Sequence, residues 1–337
     1  MSSSTVGPAK ALELRHMNQN HEEISGSKDN DDTTEIIVSQ RDDCPPEYLT
    51  GIRFWAIVAV VATSLFVTNL EIPIVTTSTI AITNQFGRFD NIDWVNSSYL
   101  LGYVAFLVII AKLSDIFGRR FMLSLSLVTF IIFSAACGAS QSLTQLIVLR
   151  AFQGIGGSGC FAIGTVLLLE LVPPQSYAKL VTNMSAVYAL SLLLGPILGG
   201  LLSEKANWRW VFLINIPIAV PAVVCLILAM PQNFPYHGQP NDRTKRNTFG
   251  KETFQRVDWV GTTLLLFATL SLTAGFEEAG SQFRWGSAYV IALIVVSGVL
   301  WICLLFWERR LTLQETTVEP VFPWRFVKNR EMLSLML

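Results

Sequence analysis

Charge and histidine are what this sequence has least of where they would matter most. Only 15% of its 337 residues are charged, against roughly 25% in soluble domains. Fully 51% are hydrophobic, and the mean hydropathy is +0.47. That balance excludes an ordinary soluble domain and points to a polytopic membrane protein. The three histidines, His16, His21 and His237, all fall outside the apolar runs. Proton chemistry within a bilayer would therefore have to use carboxylates. Of five cysteines, four (Cys137, Cys160, Cys225, Cys303) sit inside apolar runs and give neither a disulfide framework nor a metal-binding spacing. There is no GxxxxGK[ST] loop to bind ATP. No Ser/His/Asp, Cys/His or metal constellation is visible, so no enzyme activity and no cofactor is expected. A nucleic-acid partner is not expected either.

What the chain does have is length of apolar run. Residues 1–50 are polar, with four basic and ten acidic side chains and a net charge of −6; they read as a disordered acidic tail with no signal peptide. Apolar runs follow at 54–82, 95–111, 121–140, 143–169, 180–202, 210–230, 259–276 and 287–307. Each is long enough to cross a bilayer as a helix. The expected architecture is an all-α membrane protein. A six-helix bundle over 51–231 leads through a linker (232–257) to two further helices (258–308). A cytoplasmic loop over 309–337 then ends in the start of a ninth helix. The linker PQNFPYHGQPNDRTKRNTFGKETFQRV is basic but rich in Pro and Gly, and reads as a solvated connection, with anionic lipid as its alternative contact.

Alternate connections carry most of the arginine and lysine: Arg53, then Lys112, Arg119 and Arg120, then Lys179, then the linker and the residues from Arg309 on. The positive-inside rule therefore puts the N-terminus in the cytoplasm. Asn96-Ser97-Ser98 is a glycosylation sequon on the opposite side, but it lies against the second span.

Two charges interrupt the apolar runs. Glu71 falls near the middle of the first, with Thr68, Asn69, Thr76 and Thr77 around it. A carboxylate at that depth costs several kcal/mol unless paired, wetted or protonated, and marks a functional site by default. It could carry protons, or it could be a structural group bonded to a neighbouring helix. Arg150 lies two turns into the fourth run, followed by Gln153 and Gly154; Arg150, Gly154, Ser158 and Ala162 share one face. The guanidinium keeps its proton, so its role is electrostatic pairing with a carboxylate or, alternatively, snorkelling to the interface.

Two other stretches stand out by spacing. In ALSLLLGPILGG (189–200), Gly195 and Gly199 stack on one face with Ser191 a turn below, which lets a second backbone approach closely. Pro196 cannot donate to the carbonyl of Leu192, so a kink is expected there. AKLSDIFGRR (111–120) forms a short cytoplasmic turn. Gly118 permits it, Asp115 can cap the next helix or pair with a facing one, and Arg119 and Arg120 hold the turn inside.

Taken as a set, these stretches resemble the major facilitator superfamily, specifically its drug:proton antiporter branch in the fungal multidrug and toxin-efflux form. KLSDIFGRR (112–120) is similar to the loop between spans two and three, with Ala111 where Gly is usual. LIVLRAFQGIGGSG (146–159) resembles the fourth-span motif, whose Arg and Gln are tied to proton coupling. GPILGG (195–200) resembles the fifth-span antiporter motif, and LEIPIVTTSTIAI (70–82) the first-span motif, with Glu71 where Asp is typical. WRWVFLINIPI (208–218) and DWVG (258–261) also fit, so the likeness covers 51–337. It is poorer to sugar importers, which carry a Pro-Glu-Ser-type motif after span six where this chain reads PQNFPYHG.

The resemblance implies two three-helix repeats around a central cavity, about fourteen spans in all, and alternating access between two halves. It implies proton-coupled export of small amphipathic compounds, namely drugs, toxins or secondary metabolites. Glu71 and Arg150 would be the coupling pair, and Gln153, Gly154 and Asn69 would lie at the substrate cavity. Gly195, Pro196, Gly199 and Gly200 would form the moving helix contact, while Asp115, Gly118, Arg119 and Arg120 would form the cytoplasmic gate. The partners would be substrate, protons, the lipid bilayer of the plasma or vacuolar membrane, and a second transporter half or another copy of the chain. The sequence reads as cut short after the eighth span. A chain that transports nothing without a partner is therefore the alternative, and an iron-chelate or amino-acid carrier is the alternative within transport.

Overall fold

The computed structural model describes residues 51–87, 92–205, 207–231, 257–279 and 283–313. The tail 1–50, nearly all of the linker and the ninth-helix start expected within 309–337 lie outside these residues. The described residues form an all-helical assembly. Its elements are α1 (Ile52–Phe86), α2 (Trp94–Phe117), α3 (Arg119–Gly138), α4 (Leu143–Leu171), a single 3₁₀ turn (Pro174–Ser176), α5 (Tyr177–Lys205), α6 (Arg209–Leu213), α7 (Asn215–Ala229), α8 (Trp259–Glu278) and α9 (Ala288–Leu313). With α6 and α7 together making one span, eight helical segments are long and apolar enough to cross a membrane.

Two details differ from the expectation. The sixth apolar run is broken at Ile214, between α6 and α7. Pro217 has no N–H for the carbonyl of Leu213, so the helix ladder cannot pass unbroken. One residue earlier, the carbonyl of Phe212 accepts from the Ser134 hydroxyl of α3 at 2.8 Å. The eighth helix also runs on to Leu313, so Arg309 and Arg310 close α9 rather than open the loop placed at 309. Charge marks where the bilayer ends, and good helix formers such as Glu and Arg let the helix continue beyond it.

Helices α1 and α4 are the most enclosed of the eight membrane-length segments. The sequence of α4 explains how. Glycines remove the side chains that would hold neighbours off. A Cβ on Gly154 would lie 2.2 Å from the Tyr99 carbonyl oxygen of α2, and one on Gly156 2.6 Å from the Phe130 nitrogen of α3. In return, a Cβ on Gly102 of α2 would meet the carbonyl of Ala151 at 2.2 Å. Thus α2 and α3 clasp α4 at backbone distance.

Two apolar clusters fill the bundle. One includes Val61, Leu65, Leu127, Ile163, Leu167 and Leu226; the other includes Leu70, Ile74, Leu143, Leu146, Val211 and Phe212. On α3 and α4, Ser134, Arg150 and Gln153 are polar and fully buried. The α8–α9 pair packs on itself, with Ser297 donating to the carbonyl of Ala268 at 2.9 Å. It meets α2 through Ile109, Leu265 and Leu304 and through a hydrogen bond from Ser97 to Glu277.

Candidate functional site: a buried ion pair between two helix contacts

Glu71 and Arg150, 79 residues apart, meet inside the bundle. Both side chains are wholly buried, and Arg150 Nη1 donates to Glu71 Oε1. Snorkelling is thereby excluded for this arginine: its guanidinium points into the protein. The site's hydrogen-bonding groups come from five helices, and a sixth, α6, adds the ring of Phe212. From α4, Arg150 Nη1 also donates to Gln153 Oε1 at 3.1 Å, and Arg150 Nε donates to the Val95 carbonyl of α2 at 3.1 Å. From α7, Asn215 Nδ2 donates to Glu71 Oε2 at 2.7 Å and to Ser134 Oγ of α3 at 3.0 Å. The guanidinium carbon lies 4.4 Å from the ring centre of Tyr99 and 5.6 Å from that of Phe212, where ring quadrupoles attract a cation. Cys137 on α3 approaches Gln153 Oε1 at 3.6 Å.

Chemically, this is a fixed cation sharing one carboxylate with a neutral amide donor. Each Glu71 oxygen has a partner. Arg150 Nη2, Gln153 Nε2 and Asn215 Oδ1 make no hydrogen bond among the described residues, so the network holds capacity beyond the bonds now made. Protonating Glu71 would remove half of the ion pair and leave the guanidinium with neutral acceptors and two aromatic faces. Such an arrangement has two electrostatic states separated by one proton.

The other residues singled out by sequence lie in different places. Gln153 is inside the polar cluster, fully buried. Gly154 is a packing position against α2. Asn69 is half-buried on α1 and donates to the Leu65 carbonyl of its own helix at 2.7 Å. Gly195 and Gly199 press on α1: a Cβ on Gly195 would lie 2.5 Å from Pro73, and one on Gly199 2.1 Å from Thr77 Oγ1 and 2.4 Å from the Ile74 carbonyl oxygen. Ser78 adds a hydrogen bond to the Gly199 carbonyl at 3.2 Å. α5 runs unbroken through Pro196, which is exposed. Gly200 corrects the expectation of a four-residue contact. It faces away from α1, and a Cβ there would meet nothing within 4 Å, because 100° per residue turns the position after Gly199 off the shared face.

At the end of the bundle bearing residues 111–120, Gly118 turns the chain at φ 95°, a region that favours glycine. Arg119 is tied to Asp115 and, at 2.9 Å, to Glu170 at the end of α4. It also donates to Ser114. Asp115 therefore pairs with the start of α3 rather than capping it, and α3 has no side-chain cap. Arg120 separates from Arg119 and donates to the Ile227 carbonyl of α7 at 2.6 Å.

Sequence reasoning missed Asn215, Ser134, Tyr99, Pro73 and Glu170. Asn215 left the clearest signal, as the one amide within the sixth apolar run; the others are residue types too common in membrane helices to single out.

Residues 55–312 match the family model described as Major Facilitator Superfamily. The chain is 40% identical over 332 residues to the MFS-type transporter FPY5 of Fusarium mangiferae, covering 98% of this chain and 55% of that protein. It is 32% identical to Multidrug resistance protein 3 of Bacillus subtilis, over 79% of this chain and 48% of that one. It is 27% identical to the efflux pump FUS6 of Gibberella fujikuroi, over 93% and 54%. The chain thus spans about half the length of these relatives. With eight membrane-length helices, glycine-clasped packing and a family model matched across all of them, the chain belongs to the Major Facilitator Superfamily of membrane transporters.

Proposed function

We propose that this chain provides the proton-coupling half of an exporter for small amphipathic organic compounds, drugs or secondary metabolites among them. The observation that carries the reading is the wholly buried Glu71–Arg150 pair, held by Asn215 and Gln153 and shielded from water. A bare charge pair at this depth is costly to build, and it suits a group whose charge changes during a cycle. A proton arriving from outside would bond to the Glu71 carboxylate and release Arg150 from it. The reverse step would return the proton to the cytoplasm as the pair re-forms.

In this reading Gln153, Gly154 and Asn69 lie toward the substrate path, Gly154 by fixing the α2–α4 spacing. Gly195 and Gly199 against Pro73 and Thr77 form a smooth contact along which α1 and α5 can slide without opening a leak. Arg119, with Asp115 and Glu170, latches the cytoplasmic end. The plasma membrane is the expected site of action, with the vacuolar membrane as the alternative and the N-terminus in the cytoplasm. Alternating access needs two halves, so a second transporter half or a further copy completes the cavity. The names of the relatives, which include a multidrug resistance protein and efflux pumps, support export over import.

The test is efflux of fluorescent amphipathic dyes from cells carrying the chain at the membrane, alone and with a matching second half. Efflux that collapses with an uncoupler and in Glu71→Gln is the expected result. Efflux unchanged by both would overturn the assignment.

A further inference from the structure

The sixth span carries Asn215 to Glu71, yet its own backbone does little to fix where that amide falls. α6 is only five residues long, and the ladder breaks after it at Ile214. What holds α6 lies outside it, at the end of the bundle away from the 111–120 turn. Arg209, its first residue, donates through Nη1 to the carbonyls of Gly138 and Ser140, both at 2.7 Å. Gly138 ends α3 and Ser140 lies two residues beyond, where carbonyls have no helical N–H to meet. A cation there also suits the helix dipole. The guanidinium carbon stands 4.8 Å from the ring centre of Trp208. That ring is buried, donates to Gln85 near the end of α1, and meets Phe86 edge-on with ring centres 5.6 Å apart. Residues 208 and 209 thus fasten the span to α1 and to α3.

From this clamp a line of contacts follows α3 to the coupling pair. A Cβ on Gly138 would lie 3.0 Å from Leu213 Cδ2, so the two helices touch one turn along from Arg209. One turn further on α3, Ser134 donates to the Phe212 carbonyl at 2.8 Å and accepts from Asn215 at 3.0 Å. Asn215 then donates to Glu71. Ile214 interrupts the ladder but keeps φ −62° and ψ −26°, so a rotation imposed at Arg209 carries through it. Asn215 is six residues on, about 9 Å along a helix. Turning the span by one residue, about 100°, would take its amide away from Glu71. At the far end Arg120 of α3 does the reverse, donating to the Ile227 carbonyl in the last turn of α7. Each of these two antiparallel elements therefore brings a cation to the other's C-terminal carbonyls.

We infer that Arg209 is a positioning residue for the coupling pair: by fastening the start of the sixth span to the end of α3, it sets the register at which Asn215 meets Glu71. The inference rests on the coupling role proposed for Glu71. Arg209 touches neither Glu71 nor Arg150; it acts through Asn215.

The test has two arms, both on the full chain. A double-mutant cycle of melting curves in detergent compares Arg209→Gln, Asn215→Leu and the two together. The two positions share no hydrogen-bond partner, and at this spacing independent effects add. The combined fall in melting temperature should be clearly smaller than the sum, and simple additivity would overturn the inference. Where Arg209→Gln does not fold, Arg209→Lys, which keeps the charge and can reach one carbonyl, takes its place in the cycle. The second arm measures dye efflux with the matching second half present. Arg209→Gln should lower the maximal proton-driven rate by about tenfold, the worth of one charge-assisted hydrogen bond. The half-saturating dye concentration should not change, and in an Asn215→Leu background the rate should fall no further. A shifted half-saturating concentration at full maximal rate would overturn the inference, as would an undiminished further loss beside Asn215→Leu. Absence of proton-driven efflux from the unaltered protein would instead overturn the coupling role, and the melting cycle would still decide whether Arg209 sets Asn215.

Discussion

Arg150 makes the strongest demands of any residue in this chain. Its side chain is fully buried and reaches a carboxylate, an amide, a backbone carbonyl and two rings. Removing one partner of such a pair leaves an uncompensated buried charge, which costs about 3–5 kcal/mol. Glu71→Gln and Arg150→Met should each lower stability on that scale, while the double variant should cost clearly less than the sum. A double-mutant cycle of melting curves in detergent checks this, and simple additivity would show that the pair is not coupled. Asn215→Leu keeps volume but strips Glu71 Oε2 and Ser134 of a donor. We expect a loss of about 1–3 kcal/mol, with Asn215→Ser restoring part of it, read by the same melting curves.

At the scale of elements, the glycines divide by what lies opposite them. Gly199→Ala would push a methyl group into Thr77 and the Ile74 carbonyl, and overpacking of this kind costs about 1–3 kcal/mol. Gly200→Ala meets open space and should stabilise α5 by about 0.4–1 kcal/mol, through lower backbone freedom in the unfolded chain. The two variants differ by one position, so opposite shifts in melting temperature would confirm the orientation of α5, and equal shifts would refute it. The same logic explains α4, where glycine at 154 and 156 allows both neighbours to approach at backbone distance.

For the whole molecule, the α8–α9 pair touches the bundle through one face of α2. Among the described residues, the polar cluster draws on α1, α2, α3, α4 and α7. A chain ending at residue 231 should therefore keep that cluster intact. Cys137 and Cys160 are wholly buried and Cys303 is exposed. In the full chain a membrane-permeant maleimide should label Cys303 quickly and leave the other two protected. In the shortened chain Cys137 and Cys160 should remain protected; rapid labelling of Cys137 would mean that α8–α9 supports the core after all.

Much of this protein was written in the sequence. Eight apolar runs without compensating charge dictated eight membrane-length helices, because a backbone in lipid must satisfy its own hydrogen bonds. The isolated charges Glu71 and Arg150 marked a site because lipid excludes such groups unless they are paired, and the four-residue spacing of Gly195 and Gly199 marked a helix contact. Which groups met was decided only by tertiary structure. Nothing local links Glu71 to Asn215, 144 residues away, and only the break at Ile214 and the packing of α7 on α1 bring that amide to the carboxylate. Likewise, spacing alone could not tell that Gly200 turns from the contact its neighbour makes, or that Arg119 would join Glu170 while Arg120 reached α7. Periodicity fixes which residues share a face; the packing of whole helices decides what that face meets.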